Sequence, residues 1–127
     1  PFLGGGFGHF YAYAPERLEY PINRYTMEIK RQLDVLDREL ASRQFLCGDD
    51  YNIADMAVYS WYGQLVLSGL YESREFLEVA SYTNLTRWAA EVHARPAVRR
   101  GRKVNRNSSS GVKERHHARD LDAFDRS

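Results

Sequence analysis

Few side chains of this sequence offer chemistry, and they are scattered. The single thiol, Cys47, stands beside Gly48 with no second cysteine and no histidine or acid at ligand spacing, which argues against a redox pair or a metal site. His116 and His117 are adjacent, so a helix would not present them on one face as a metal pair. Gly4, Gly5, Gly6 and Gly8 lack the G-x-G-x-x-G spacing of a dinucleotide fingerprint. What remains is cationic and phenolic. Arg24 has Glu28 four residues on, and it is either half of a surface ion pair or a guanidinium able to hold a carboxylate through two hydrogen bonds. Tyr13, Tyr20 and Asn23 carry hydrogen-bonding groups nearby in sequence, and His9 lies between aromatics; packing or simple exposure is the plain alternative for each. Arg95, Arg99, Arg100, Arg102, Lys103 and Arg106 form a basic run with no acid among them. It suits an anion, or it is a solvated face near the negative end of a helix.

The elements that would position these groups are helical. The chain is organised around residues 48–61, GDDYNIADMAVYSW, in which Asn52 is a good N-cap and Asp55, three residues on, can reach back to the cap's N–H. Ile53, Ala54, Ala57, Val58, Trp61 and Tyr62 leave almost no polar face before Gln64, so a helix enclosed on several sides is expected from about Ile53 to Leu67, with Gly69 as terminator. Trp61 and Trp88 both fall at core spacing. Before this helix, Ile22, Tyr25, Ile29, Leu33, Leu36 and Leu40 alternate steps of three and four, predicting an amphipathic helix from about Pro21 to Ser42. The connector 44–49 should tuck Phe45 and Leu46 beneath it. Phe76, Leu77 and Val79 predict a short helix over 72–79. Asn84 or Thr83 should cap a last helix with Leu85, Trp88, Ala89 and Val92 inward, which Pro96 ends. Residues 1–14, rich in glycine and aromatics, read as a helix end or an aromatic-lined loop, or else as the wall of a ligand site. No segment reads as a strand, so the expected class is an all-α bundle.

Composition narrows the function classes. The chain has 127 residues, 43% hydrophobic and 28% charged, enough for one domain with a tail. A net charge of +1 gives no overall affinity for a polyanion. No window approaches the roughly 18 apolar residues that read as a membrane span, and no signal peptide is visible. One cysteine fits a reducing compartment, hence a cytoplasmic location. The chain starts at Pro1 rather than Met, as though in the middle of something. Residues 107–111, NSSSG, read as linker, and beyond them only Val112, Leu121 and Phe124 are sizeable and apolar, too few to fold alone.

Taken together, the GDDYNIAD box, the long helix before it and the closing Arg87-Trp88 and Arg95-Pro96-Ala97-Val98 segments resemble the C-terminal domain of cytosolic glutathione transferases. Gly8-His9-Phe10-Tyr11-Ala12-Tyr13-Ala14-Pro15, Tyr20, Asn23-Arg24-Tyr25 and the extension after Gly101-Arg102-Lys103-Val104-Asn105-Arg106 look like the bacterial nu class, which are glutathione-dependent disulfide-bond oxidoreductases. The resemblance covers about residues 1–100 and implies domains of 1–102, the helical domain, and 103–127, a C-terminal extension. It implies further a homodimer, and a thioredoxin-like N-terminal half that supplies the catalytic side chain and is absent from this chain. No catalytic residue and no metal ligand is then expected here. Arg24, with Asn23, Tyr20, Tyr13 and His9, becomes the candidate wall for glutathione and a small disulfide substrate, and Asn52 and Asp55 are structural. The alternatives are a non-catalytic interaction module of the same fold and, more weakly, a nucleic-acid binder using 95–106, against which the near-neutral charge counts.

Overall fold

The computed structural model describes residues 1–104 together with Arg119 and Asp122. They belong to two compact units, Pro1–Ala90 and Glu91–Ser127. Among the described residues the structure is helical, and the only strand-like pairing is an isolated antiparallel bridge between Phe45 and Gly48. The all-α expectation holds.

The first unit opens with a π-helical segment, Phe2–Tyr13, where a helix end or loop was expected. Its wider turn shows in bonds spanning five residues, Gly6 N–H to Pro1 O at 2.8 Å and Ala14 N–H to His9 O at 2.7 Å. The glycines serve close approach: a Cβ on Gly6 would overlap the Tyr25 ring and one on Gly8 the Tyr71 ring. The segment packs on helix α1 (Glu19–Leu40), whose Ile22, Ile29, Leu33 and Leu40 are buried as the spacing predicted. Helix α1 starts two residues before Pro21, which costs nothing there because a first-turn N–H has no intrahelical acceptor.

The box at Asn52 and Asp55 forms as read. The Asn52 side chain accepts from Ala54 N–H at 2.9 Å, and Asp55 Oδ2 accepts from Asn52 N–H at 3.0 Å. Asp55 does more than cap. Its other oxygen accepts from Leu46 N–H at 3.0 Å and from the Trp88 indole at 2.7 Å, and the whole side chain is buried. The central rod then runs as α2 (Ile53–Val58), a π turn over Tyr59–Gly63, and α3 (Gln64–Ser68), ended by Gly69 at φ 67°. Its expected enclosure is corrected: Ile53 is 78% exposed, Met56 51% and Trp61 52%. Spacing showed that this face is apolar, and the described chain does not cover it. The π turn contributes by advancing the helix phase after Val58, so Tyr59 and Gly63 point inward and Trp61 outward, beside Gly4.

The helix expected over 72–79 is also corrected. The segment is a string of turns between 3₁₀ pieces at Leu70–Glu72 and Val79–Ser81, with only Leu77 and Val79 of its apolar residues buried. Tyr71, Glu72 and Glu78 adopt left-handed backbone, which breaks helical continuity. Helix α4 (Thr83–Ala94) buries Leu85, Trp88, Ala89 and Val92 completely. Neither Asn84 nor Thr83 caps it. Asp37 of α1 does, accepting from Leu85 N–H at 2.9 Å and from the Asn84 amide at 3.1 Å. In return Arg87 of α4 closes that same C-terminal end of α1, donating to Leu40 O and, just beyond the helix, to Arg43 O, at 2.9 Å each.

In the second unit Pro96 both stops α4 and starts α5 (Pro96–Gly101) at its first position. The basic run is therefore partly helical, and Arg100 pairs with Asp122 at 2.6 Å. Arg106, the 107–111 linker and His116 and His117 lie outside the described residues. Replacing Asp55 with Ala strips three donors of their acceptor, the Trp88 indole fully buried and the Leu46 and Asn52 amides partly so, and should cost about 3 kcal/mol or more in urea unfolding, against about 1 kcal/mol for Asp37→Ala, which removes a cap.

Candidate functional site

A groove of about 320 Å³ opens where the π segment meets the start of α1. Phe2, Phe10, Pro21 and Tyr25 form an apolar floor, and Tyr20 and Arg24 bring the polar groups. Phe10 and Tyr25 stack, with ring centroids 5.7 Å apart. Tyr20 and Arg24 are four residues apart on one helix and therefore share a face.

Arg24 is poorly satisfied by its own neighbours. Its guanidinium lies 4.0 Å from Glu28, beyond hydrogen-bond length, and its side chain is 56% exposed. Glu28 is already engaged. Arg31 donates to it at 2.6 and 3.2 Å, one bond to each carboxylate oxygen, and the Gln32 amide donates at 2.8 Å. Gln32 in turn accepts from the Tyr62 hydroxyl, so the carboxylate is fixed from the core side. These bonds, Arg31 first and Gln32 second, hold the Glu28 carboxyl at about 2, well below its usual 4.5. Burial pushes the Tyr62 phenol up. With Glu28 held by Arg31, Arg24 keeps its paired donors for an incoming carboxylate.

The other sequence candidates separate. Tyr13 lies in a different groove, its ring edge-on to Tyr71 at 5.7 Å. His9 and Asn23 are exposed and line neither groove, though His9 sits edge-on to Phe10 at 4.9 Å. Phe2, Phe10 and Tyr25 were not singled out for the site. For Phe2 and Phe10 the signal was the alternation of glycine and aromatic residues over 1–14, read there as a candidate ligand wall, and for Tyr25 its place in the α1 stripe; neither says which side stays open. Cys47 is exposed, and no cluster of metal-ligating side chains exists among the described residues. No described helix is long and apolar enough to cross a membrane.

Fold and groove together define the class. The chain belongs to the glutathione S-transferase family, and its residues 19–91 match the family's C-terminal domain. Over 125 residues it is 57% identical to the disulfide-bond oxidoreductase YghU of Escherichia coli K12, an alignment covering 96% of this chain and 43% of that protein. The YghU glutathione transferase of Streptococcus pneumoniae, crystallised with glutathione, superposes with a TM-score of 0.79 at 58% identity over 89% of this chain and 42% of its own. A glutathione transferase from Burkholderia graminis, with two glutathione molecules bound per subunit, gives 0.75 at 35% identity over 84% and 44%. The chain thus spans less than half the length of these relatives. The resemblance read in the sequence is confirmed at the level of family and domain.

The depressed Glu28 carboxyl sets a pH dependence with a definite sign. A group whose folded value lies below its unfolded one stabilises the fold above the unfolded value, and that contribution is lost as pH falls through the folded value. The stability difference between the parent chain and Glu28→Gln should therefore hold at neutral pH and shrink between pH 4.5 and 2, as read by urea unfolding at stepped pH.

Proposed function

We propose that this chain is the helical half of a glutathione-dependent disulfide-bond oxidoreductase, in which the Arg24 groove forms one wall of the glutathione cleft. The observation that carries the reading is the Arg24 guanidinium, accessible above an aromatic floor and relieved of Glu28 by Arg31. Glutathione carries two carboxylates, and a planar guanidinium pairs with either through two parallel bonds. The hydroxyl of Tyr20 stands on the same helix face for a further bond. Asn23 adjoins Arg24 in sequence, His9 leans on Phe10 and Tyr13 extends the surface toward the neighbouring groove; these three would act as outer contacts.

The reaction is thiol–disulfide exchange. One glutathione thiolate attacks a sulfur of the substrate disulfide, forming a mixed disulfide and releasing one thiolate; a second glutathione attacks the mixed disulfide, releasing the other thiolate and leaving glutathione disulfide. Two electrons pass from the two glutathiones to the substrate, and each released thiolate takes up a proton. Arg24 holds a carboxylate and adds positive field that favours thiolate over thiol. The nucleophile's activating group would come from a thioredoxin-like half, so the helical chain by itself would be inactive. The relatives' names and their bound glutathione support this reading, as does the low density of chemistry-bearing side chains here. The intact protein would be a homodimer, as the family resemblance implies, and cytoplasmic, in keeping with a lone exposed cysteine.

Isothermal titration of glutathione disulfide into the chain joined to its thioredoxin-like half tests the proposal. Saturable binding that Arg24→Ala weakens about tenfold or more is expected, the loss of one charge-assisted pair. Binding unaltered by the substitution would remove Arg24 from the site, and an absence of binding would favour the interaction-module alternative.

A further inference from the structure

A second groove, of about 610 Å³, shares no lining residue with the first. It lies between the end of the π segment and the turn after Gly69, and it is bounded by Tyr11, Tyr13, Arg17, Tyr71 and Glu72. It holds one cation and one anion, Arg17 and Glu72. They form no ion pair with each other, and neither side chain has a hydrogen bond or ion pair among the described residues. That is unusual in this chain, where Arg31, Arg38, Arg43 and Lys30 each reach an acid.

The backbone is shaped to present this wall. Gly69, Tyr71 and Glu72 all take left-handed φ, at 67°, 62° and 54°. For the two residues with side chains that conformation is strained, and it persists only where surrounding contacts fix it. Here the contacts are aromatic. The hydroxyl end of the Tyr71 ring sits where a Cβ on Gly8 would be, and the ring is edge-on to Phe7 at 6.2 Å and to Tyr13 at 5.7 Å. Burial and the neighbouring Tyr13 push the Tyr71 phenol up, so it stays a neutral hydrogen-bond donor. Two opposite charges held apart across a phenol-lined trough match a molecule that itself carries both signs. A simple anion would face Glu72, and a simple cation would face Arg17.

We propose that this groove is a second binding site, separate from the Arg24 groove, for a small zwitterion: an amino acid or a whole dipeptide whose carboxylate meets Arg17 and whose ammonium meets Glu72, with an apolar or aromatic body on Tyr13 and Tyr71. The probe is glycyl-L-phenylalanine, titrated into the full ¹⁵N-labelled chain while the amides of Ala12 and Gly69 are followed. N-acetylglycyl-L-phenylalanine removes the ammonium and glycyl-L-phenylalaninamide removes the carboxylate. A saturable shift is expected with the free dipeptide and about tenfold weaker binding with each blocked form, as for one lost charge-assisted bond. In Glu72→Gln the acetylated and free peptides should bind alike, in Arg17→Gln the amidated and free peptides should, and Arg24→Ala should leave the free dipeptide's affinity unchanged. No saturable shift, equal binding of blocked and free peptides to the parent chain, discrimination that survives the variants, or a loss on Arg24→Ala would each overturn the proposal. The peptide comparison on the parent chain decides the matter even if a variant fails to fold.

Discussion

One buried carboxylate holds the first unit together. Asp55 has no exposed surface, and a charge in that position is tolerable only with its lone pairs filled. Three donors fill them, and they come from three places: the connector at Leu46, the cap at Asn52 and the indole of Trp88 on α4. The positive end of α2 adds a favourable field. Residues far apart in sequence are thereby fixed to one point, and Trp88, the largest fully buried side chain, is oriented by it. The buried stripe of α4 thus carries, in the Trp88 indole N–H, a polar link to that point.

The groove depends on a second constraint, which is steric. Glycine at positions 6 and 8 lets the Tyr25 and Tyr71 rings lie on the π-segment backbone where any side chain would collide. Phe10 then stacks on Tyr25, and the floor beneath Arg24 is complete. The polar part is set by competition among cations for one acid. Arg31, three residues from Glu28, wins with two hydrogen bonds, at 2.6 and 3.2 Å, and Arg24, four residues away on the other side, is left at 4.0 Å.

Much of this was legible in the residues. The α1 stripe, the Asn52 and Asp55 box and the inward face of α4 follow from spacing and cap chemistry, which are local. What was not legible depended on phase or on distant partners. A π turn at Tyr59–Gly63 shifts the helix face and turns Trp61 outward, and a 3.6-residue rule has no means to anticipate it. The turns over 72–79 follow from left-handed backbone at Glu72 and Glu78, residue types with no special preference for it. Of the candidate groove, Arg24 and Tyr20, named through the family resemblance, do line it, whereas Tyr13, named with them, lines the other, because sequence proximity says little about which groove a side chain enters.

The cap on α4 carries a consequence for how the chain folds. A helix that begins with its own serine or aspartate can flicker into existence alone, but the acceptor for Leu85 N–H lies 48 residues upstream, on α1. Arg87 ties the reverse knot, since of the carbonyls it satisfies one is the last of α1, at Leu40, and the other lies in the turn just beyond, at Arg43. Each helix thus lends the other a terminus that its local sequence does not provide. Such reciprocal borrowing couples the two in a single cooperative step and penalises partial unfolding of either, so the pair should open together or not at all.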